Sequence, residues 1–315
     1  MGSIVTEKLL HAGHRVTVLD NLSHGKRCAV PDGAGLVMGD IADRDVLSRV
    51  FRICCPEAVI HFAALIEAGE SMRVPERFFR NNTASTLTLL ETMLEHGTKQ
   101  IVFSSTAALY GNPEITPIEE SAPLRPTNAY GESKLLVERM LEWFHRIPGL
   151  SYASLRYFNA AGATVQRGED HCPESHLIPL VLKAALGVRP EIAIYGIDYP
   201  TPDGTCIRDY IHVSDLAQAH LLALDALSER GQLIYNLGNG CGFSVREVIE
   251  AARRITRKPI KVVEGPRRPG DPAMLVASSD KIRRDLGWKP EHPDLEDIVH
   301  SAWEWHRAHP HGYQN

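Results

Sequence analysis

Tyr130 and Lys134 stand four residues apart at the start of a stretch with helical spacing, so both side chains project from one helix face. An ammonium beside a phenol favours the phenolate and draws the tyrosine down from its ordinary pKa of about 10. Such a tyrosine can act as a general base near neutral pH. Ser104, Ser105 and Thr106 close an apolar run just over twenty residues earlier. If that run is a strand, its terminal hydroxyls face the ligand crevice of an open α/β sheet. Hydroxyl, phenol and amine together form a proton-handling set suited to work beside a nicotinamide. Asp20 supplies a second kind of chemistry. It ends another strand-like run, where an acid is placed to bind the ribose hydroxyls of a dinucleotide.

These residues need a scaffold, and the chain reads as an α/β one. Apolar runs at 16–19, 36–38, 58–62, 101–104 and 152–158 alternate with amphipathic stretches near 43–52, 76–96 and 128–146. Val- and Ile-rich runs without alternation suit strands buried on both faces. Their spacing predicts a doubly wound parallel sheet of the Rossmann type. After about Gly162 prolines become frequent, and helical stretches near 176–187, 244–256 and 294–308 mix with short strands. The expected organisation is a dinucleotide-binding domain of residues 1–162 plus about 213–238, in which the 214–230 stretch and the run 234–237 return to the main sheet. A smaller mixed α/β substrate domain takes about 163–212 and 239–315.

The 315 residues are 43% hydrophobic and 23% charged, with net charge −5. That is globular composition, and the scattered Arg and Lys residues argue against a nucleic-acid partner. Short clusters occur at Arg253–Arg254 and Arg267–Arg268. Six cysteines lie without CxxC pattern and no HExxH occurs among fifteen histidines, so spacing offers no metal site. No apolar run reaches the length of a membrane span and no signal-peptide pattern opens the chain. The expectation is a cytoplasmic protein in a reducing compartment.

The doubly wound fold normally begins with a strand and a Gly-rich turn before its first helix. Here the 4–10 stretch already has helical spacing, and Gly13 follows where glycine stops helices. Asp20 is therefore in place without the loop expected before it. Gly2 alone could be the last glycine of that loop. The expectation is a sheet lacking its first strand, at a truncated N-terminus.

The segments LDNL at 19–22, GDI at 39–41, HFAA at 61–64, FSSTA at 103–107, YGESK at 130–134 and RYFN at 156–159 resemble the extended short-chain dehydrogenases in order and spacing. The second half narrows the resemblance. YGIDYPTPDGT at 195–205, RDYIHV at 208–213, RPGD at 268–271, LGW at 286–288 and the closing WHRAHPHGY at 305–313 resemble the UDP-glucose 4-epimerase branch of the NAD-dependent epimerase/dehydratase family. The likeness spans essentially the whole chain.

The resemblance implies residue roles. Thr106, Tyr130 and Lys134 would be catalytic. Asp20 and Asn21 would bind the adenosine ribose of NAD, and Asp40 with Ile41 the adenine. Gly2, Phe62, Ala63, Ala64, Asn81, Ser104 and Phe158, with Tyr130 and Lys134, would line the rest of the cofactor. Asn159, His176, Leu177, Tyr195, Arg208, Arg268 and Asp271 would hold a UDP-sugar, with Thr106 and Tyr130 at its reacting end. Arginine suits a diphosphate because its planar fork gives paired charge-assisted bonds. Ile66 stands where some members have lysine, His176 where some have asparagine, and Leu275 where side-chain size varies beside the sugar.

The implied reaction interconverts UDP-galactose and UDP-glucose: oxidation at C4, rotation of the 4-keto sugar, and re-reduction from the opposite face. Ala107 and Ala108 stand where sugar dehydratases of the family carry an acidic pair, which sets that chemistry aside. A 4-epimerase of another UDP-sugar, or a nucleotide-sugar binder without activity, are the alternatives. The apolar residues Leu87, Leu90, Leu94, Met140 and Phe144 on two helical stretches suggest a homodimer.

Overall fold

The computed structural model describes residues 1–268 and 271–313. Six parallel strands form the first part of the molecule. β1 (Thr17–Asp20) pairs with β2 (Gly35–Met38). β3 (Ala58–His61), β4 (Gln100–Thr106) and β5 (Ser151–Tyr157) form a second sheet that β9 (Gln232–Leu237) completes, in the order β3-β4-β5-β9. β1 and β3 are not hydrogen-bonded to each other, so the layer is in two parts. Ile101, Val102 and Phe103 of β4 and Ala153 and Leu155 of β5 are fully buried, as continuous apolar runs require when helices cover both faces. This is the α/β architecture expected from the alternation of runs.

Helix termini follow local chemistry. Asp43 accepts from the N–H groups of Asp45 and Val46 to start helix Arg44–Cys54, and Asn128 accepts from Gly131 N to start helix Ala129–Arg146. The stretch expected as one helix near 76–96 is helical from Pro75 to Glu95, but residues Phe79–Ala84 form a π-helical turn. Such turns rotate the following side chains off the α register and gather at functional sites. Here the turn carries Asn81 and Asn82.

A second lobe is built around β8 (Ile207–His212). β6 (Asn159–Ala161) and β12 (Met274–Leu275) pair with it in parallel and β10 (Gly242–Ser244) antiparallel. β7 (Ile192–Tyr195) and β11 (Val262–Gly265) form a separate parallel pair. Helices Leu177–Ala185, Val245–Thr256 and Leu295–Ala308 share one core, with Val181, Val248, Ile298 and Trp303 at its centre. Ile282 and Trp288 instead pack with Leu233, Tyr235 and Leu237 of β9, so residues 280–288 lean on the main sheet. Helix Val213–Arg230 also packs there.

The buried Asp209 joins these pieces. Its carboxylate accepts from the N–H groups of Asn239 (2.8 Å), Gly240 (3.1 Å) and Ala277 (3.1 Å). Burial pushes its pKa up to about 6 against those bonds. No helix among the described residues is long and apolar enough to cross a membrane.

Candidate active site

Thr106 and Tyr157 end the adjacent parallel strands β4 and β5 in register, Asp20 ends β1, and Phe62 and Phe158 directly follow two strand ends. That edge is where open α/β sheets take ligands. A 3-10 turn over Ala107–Tyr110 follows Thr106. It presses on the N-terminus of helix Ala129–Arg146 so closely that a Cβ at Gly131 would lie 2.7 Å from the Ala108 carbonyl oxygen. Glycine at 131 thus permits the approach that brings Thr106 beside Tyr130.

The electrostatics differ from the expectation at one point. Burial of the phenol pushes the Tyr130 pKa up, the Thr106 hydroxyl opposes this, and the charge of Glu67 adds to it. Lys134 does not lower it. Its side chain is 2% exposed, and Nζ donates to the Ser104 carbonyl at 2.9 Å and lies over the Phe103 ring. Burial lowers its own pKa to about 7. Desolvation removes much of the charge that the sequence spacing implies, so both groups lean towards neutrality.

The surroundings are tightly determined. The Ser104 hydroxyl bonds the Tyr157 hydroxyl, and burial raises the Tyr157 phenol. Ser105 donates to Glu138 at 2.6 Å. Glu138 in turn accepts from Arg156 (Nε at 3.0 Å), with both side chains almost wholly buried. Asn82, 2% exposed, accepts from Leu65 N and donates to Leu65 O and Ser133 Oγ. It thereby ties the loop after β3 to the Tyr130 helix. Asn81 donates to the Asn82 side chain at 2.9 Å. Asn82 escaped the sequence reading because its role depends on the π-helical turn, which leaves no periodicity signal.

The residues expected around a dinucleotide lie along this edge. Leu22 N donates to Asp20 Oδ1 at 2.7 Å, and a Cβ at Gly25 would fall 2.8 Å from Asp20 Oδ2, so the loop folds back on the acid. Asn21 donates to Asp40 at 2.8 Å, which brings the ends of β1 and β2 together. Ile41 packs on the core beneath. Gly2, opening helix Gly2–His11, lies beside Phe62. Ala63 is exposed, while Ala64 and Phe158 are half-buried. An acid pair at one end and a hydroxyl, phenol and amine at the other suit the ribose and nicotinamide ends of NAD.

A cleft of about 280 Å³ opens into the second lobe. Its walls include Asn159, His176, Leu177, Tyr195, Arg208, Arg268 and Asp271. All seven residues expected to hold a nucleotide-sugar therefore meet in one place. Asn159 donates to the Asp209 carbonyl. Arg208 is held by the carbonyls of Ile207 (2.8 Å) and Pro272 (2.9 Å) and faces Asp271 at 3.5 Å. Arg268 stacks on the Tyr195 ring at 4.0 Å. Pro269 and Gly270 of the same motif lie outside the described residues.

His176 departs most from what sequence alone conveyed. Burial opposes its charged form, yet the hydrogen bond it donates to Glu174 and the charges of Glu169, Glu174 and Glu67 outweigh this and raise its pKa. Glu67 accepts from His171 at 2.8 Å. Neither residue was singled out in the sequence, because they lie about a hundred positions apart.

Residues 1–238 match the model of the NAD dependent epimerase/dehydratase family. The UDP-glucose 4-epimerase of Halalkalibacterium halodurans is 54% identical over 99% of this chain and 94% of its own. Two solved structures superpose closely. UDP-glucose 4-epimerase from Bifidobacterium longum, in complex with NAD+ and UDP, has a TM-score of 0.95 at 39% identity, covering 99% of this chain and 96% of that one. UDP-glucose 4-epimerase from Brucella ovis, in complex with NAD, has a TM-score of 0.93 at 43% identity, covering 96% and 94%. With three-quarters of its length under the family model and a relative above half identity, this chain belongs to the NAD dependent epimerase/dehydratase family.

Proposed function

We propose that the protein is an NAD-dependent isomerase that interconverts UDP-galactose and UDP-glucose by epimerisation at C4. The observation that carries this reading is that one chain, 54% identical to a UDP-glucose 4-epimerase, holds both the Thr106–Tyr130–Lys134 set and an arginine-lined cleft whose wall begins at Asn159, two residues after the Tyr157 that bonds Ser104. The first lobe holds NAD and the second the UDP-sugar. NAD supplies, when bound, the hydride acceptor and donor for C4 and a positive charge that offsets burial of a phenolate.

The chain's own residues do the remainder. Asp20 and Asn21 hold the adenosine ribose, and Asp40 with Ile41 the adenine. Gly2, Phe62, Ala63, Ala64, Asn81, Ser104 and Phe158 complete that wall. Tyr130 takes the proton of the sugar's 4-hydroxyl and later returns it, while Thr106 bonds the same oxygen and fixes its direction. Lys134 is anchored on the Ser104 carbonyl, and its remaining N–H groups would be free to bond the cofactor. Arg208, Arg268 and a protonated His176 hold the diphosphate, so that UDP stays in place while the 4-keto sugar turns between half-reactions. Asn159, Leu177, Tyr195 and Asp271 shape the rest of the cleft.

The test is conversion of UDP-galactose to UDP-glucose with added NAD, by the parent and by Tyr130→Phe. Loss of activity by about 10²–10⁴ in the variant is expected. A folded parent chain inert towards UDP-hexoses, or a fully active variant, would overturn the reading.

Two coarser readings complete the proposal. The protein forms a homodimer through helices Ser85–Glu95 and Ala129–Arg146. Leu90 is wholly buried and Leu94, Met140 and Phe144 pack on the core, so the free apolar surface is Leu87, Trp143 and Ile147, the last two well over half exposed. Light scattering giving a monomer would count against it. The six cysteines are all free, four of them exposed, which supports residence in the reducing cytoplasm.

A further inference from the structure

We infer that His24, Glu67 and His171 form a binding site for a zinc-class divalent ion at the rim of the cleft, and that its occupation blocks turnover. One ligand atom from each of the three residues lies within 4.8 Å of the other two. His24 comes from the loop that folds back on Asp20. Glu67 immediately precedes helix Ala68–Ser71, beyond Phe62–Ala64, and His171 belongs to the segment leading to helix Leu177–Ala185. Three distant stretches of chain thus converge.

The arrangement is already half-organised. The two imidazoles stack with centroids 5.3 Å apart and planes 10° from parallel. His171 Nε2 lies 2.8 Å from Glu67 Oε1. A tetrahedral ion with bonds of about 2.0–2.1 Å needs ligand atoms roughly 3.3 Å apart. Small side-chain rotations in two loops and a helix terminus close that difference. Two imidazoles and one carboxylate with an open position are a donor set that suits zinc, cobalt or nickel rather than magnesium or calcium.

The charge around the site points the same way. Glu67, Glu169 and Glu174 gather here, and among the described residues their only ion-pair partners are His171 and His176, not lysine or arginine. The Glu174 side chain is 3% exposed, and its Oε2 has no hydrogen-bond partner. A carboxylate oxygen left dry and unpaired costs free energy that a nearby cation reduces. Glu169, Glu174 and His176 also bring one ligand atom each within 4.8 Å of the others, and His171 and His176 meet edge-to-face at 5.9 Å, so the two trios adjoin.

The functional consequence rests on the proposed epimerase reading; the binding does not. An ion at this site draws Glu67 away from Tyr130 and ties the loop after β1 to the second lobe across the cleft mouth. The full-length chain, stripped with EDTA and dialysed, is titrated with zinc chloride by calorimetry, and with cobalt chloride by visible spectroscopy. One ion per chain and the absorption of four-coordinate cobalt are expected. His24→Ala and His171→Ala should each weaken binding roughly tenfold or more, with circular dichroism unchanged. Zinc should inhibit epimerisation reversibly by EDTA in the parent, and only at about tenfold higher concentration in His171→Ala. Absence of saturable binding would overturn the inference. So would parent-like affinity in the His24→Ala/His171→Ala double variant, or binding lost in His176→Ala but kept in His24→Ala, which would place the ion among Glu169, Glu174 and His176 instead. If the chain is inactive on UDP-sugars, the calorimetric and cobalt results still decide the site.

Discussion

Replacing Lys134 with methionine should make the free protein more stable at pH 6 relative to its parent than at pH 9.5. The folded amine titrates at about 7, against 10.5 for an exposed lysine. Below pH 7 the amine is charged in both the folded and unfolded states, and the full cost of burying it is present. Between 7 and 10.5 the folded amine loses its proton while the unfolded one keeps it, so that cost shrinks by about 1.36 kcal/mol per pH unit. From pH 7 to 9.5 the change is roughly 3 kcal/mol. Loss of the bond that the neutral amine makes to the Ser104 carbonyl costs about 1 kcal/mol at either pH, and the extra strength of that bond when the amine is charged is already contained in its pKa, so neither alters the comparison. His61, held down to about 3 by burial and then by the lysine charge, is neutral throughout. Unfolding entropy of about 2.1 cal/mol/K per residue converts the difference to a melting-temperature gap of about 5 °C. Differential scanning fluorimetry of parent and variant at both pH values reads it. Equal shifts at the two pH values, or a larger gain at pH 9.5, would refute the argument that burial rather than a partner sets this amine's protonation. The substitution should also depress epimerase activity, since a charge kept at a structural cost is retained for function.

Two further outcomes follow from the geometry. Glu138→Gln leaves the Arg156 guanidinium buried without a counter-ion and should cost about 3–5 kcal/mol by denaturant unfolding. The pair Glu138→Leu/Arg156→Met should recover most of that, because both desolvated charges go together. Arg208→Met removes a guanidinium fixed by two carbonyls. It should raise KM for the UDP-sugar by about ten- to a hundredfold, from charge-assisted bonds of roughly 1.5–3 kcal/mol, with a much smaller change in kcat.

Much of the scaffold was legible because it is written in local pattern. The mainly apolar runs at 101–104 and 152–158 became the two central strands, since strands covered on both faces bury successive residues of such a run. Gly13, in the left-handed region at φ 87°, stops its helix as its position suggested. The π-helical turn at Phe79–Ala84 was not legible. A helix with one wide turn has nearly the same apolar spacing as one without.

The candidate site divides in the same way. Residue types and spacing singled out Thr106, Tyr130 and Lys134, and the family resemblance singled out the seven residues that line the cleft, because such motifs are short contiguous segments. Charge state did not follow from spacing. The four-residue step from Tyr130 to Lys134 implies a shared face, but the pKa depends on hydration and on Glu67, and both are properties of the packed interior. The meeting of His24, Glu67 and His171 was likewise invisible, for no sequence spacing relates three residues whose loops approach only after the two lobes close on one another. Sequence determined which groups are available along each element; the tertiary structure decided which of them lose water, and which stand near enough to share a proton or an ion.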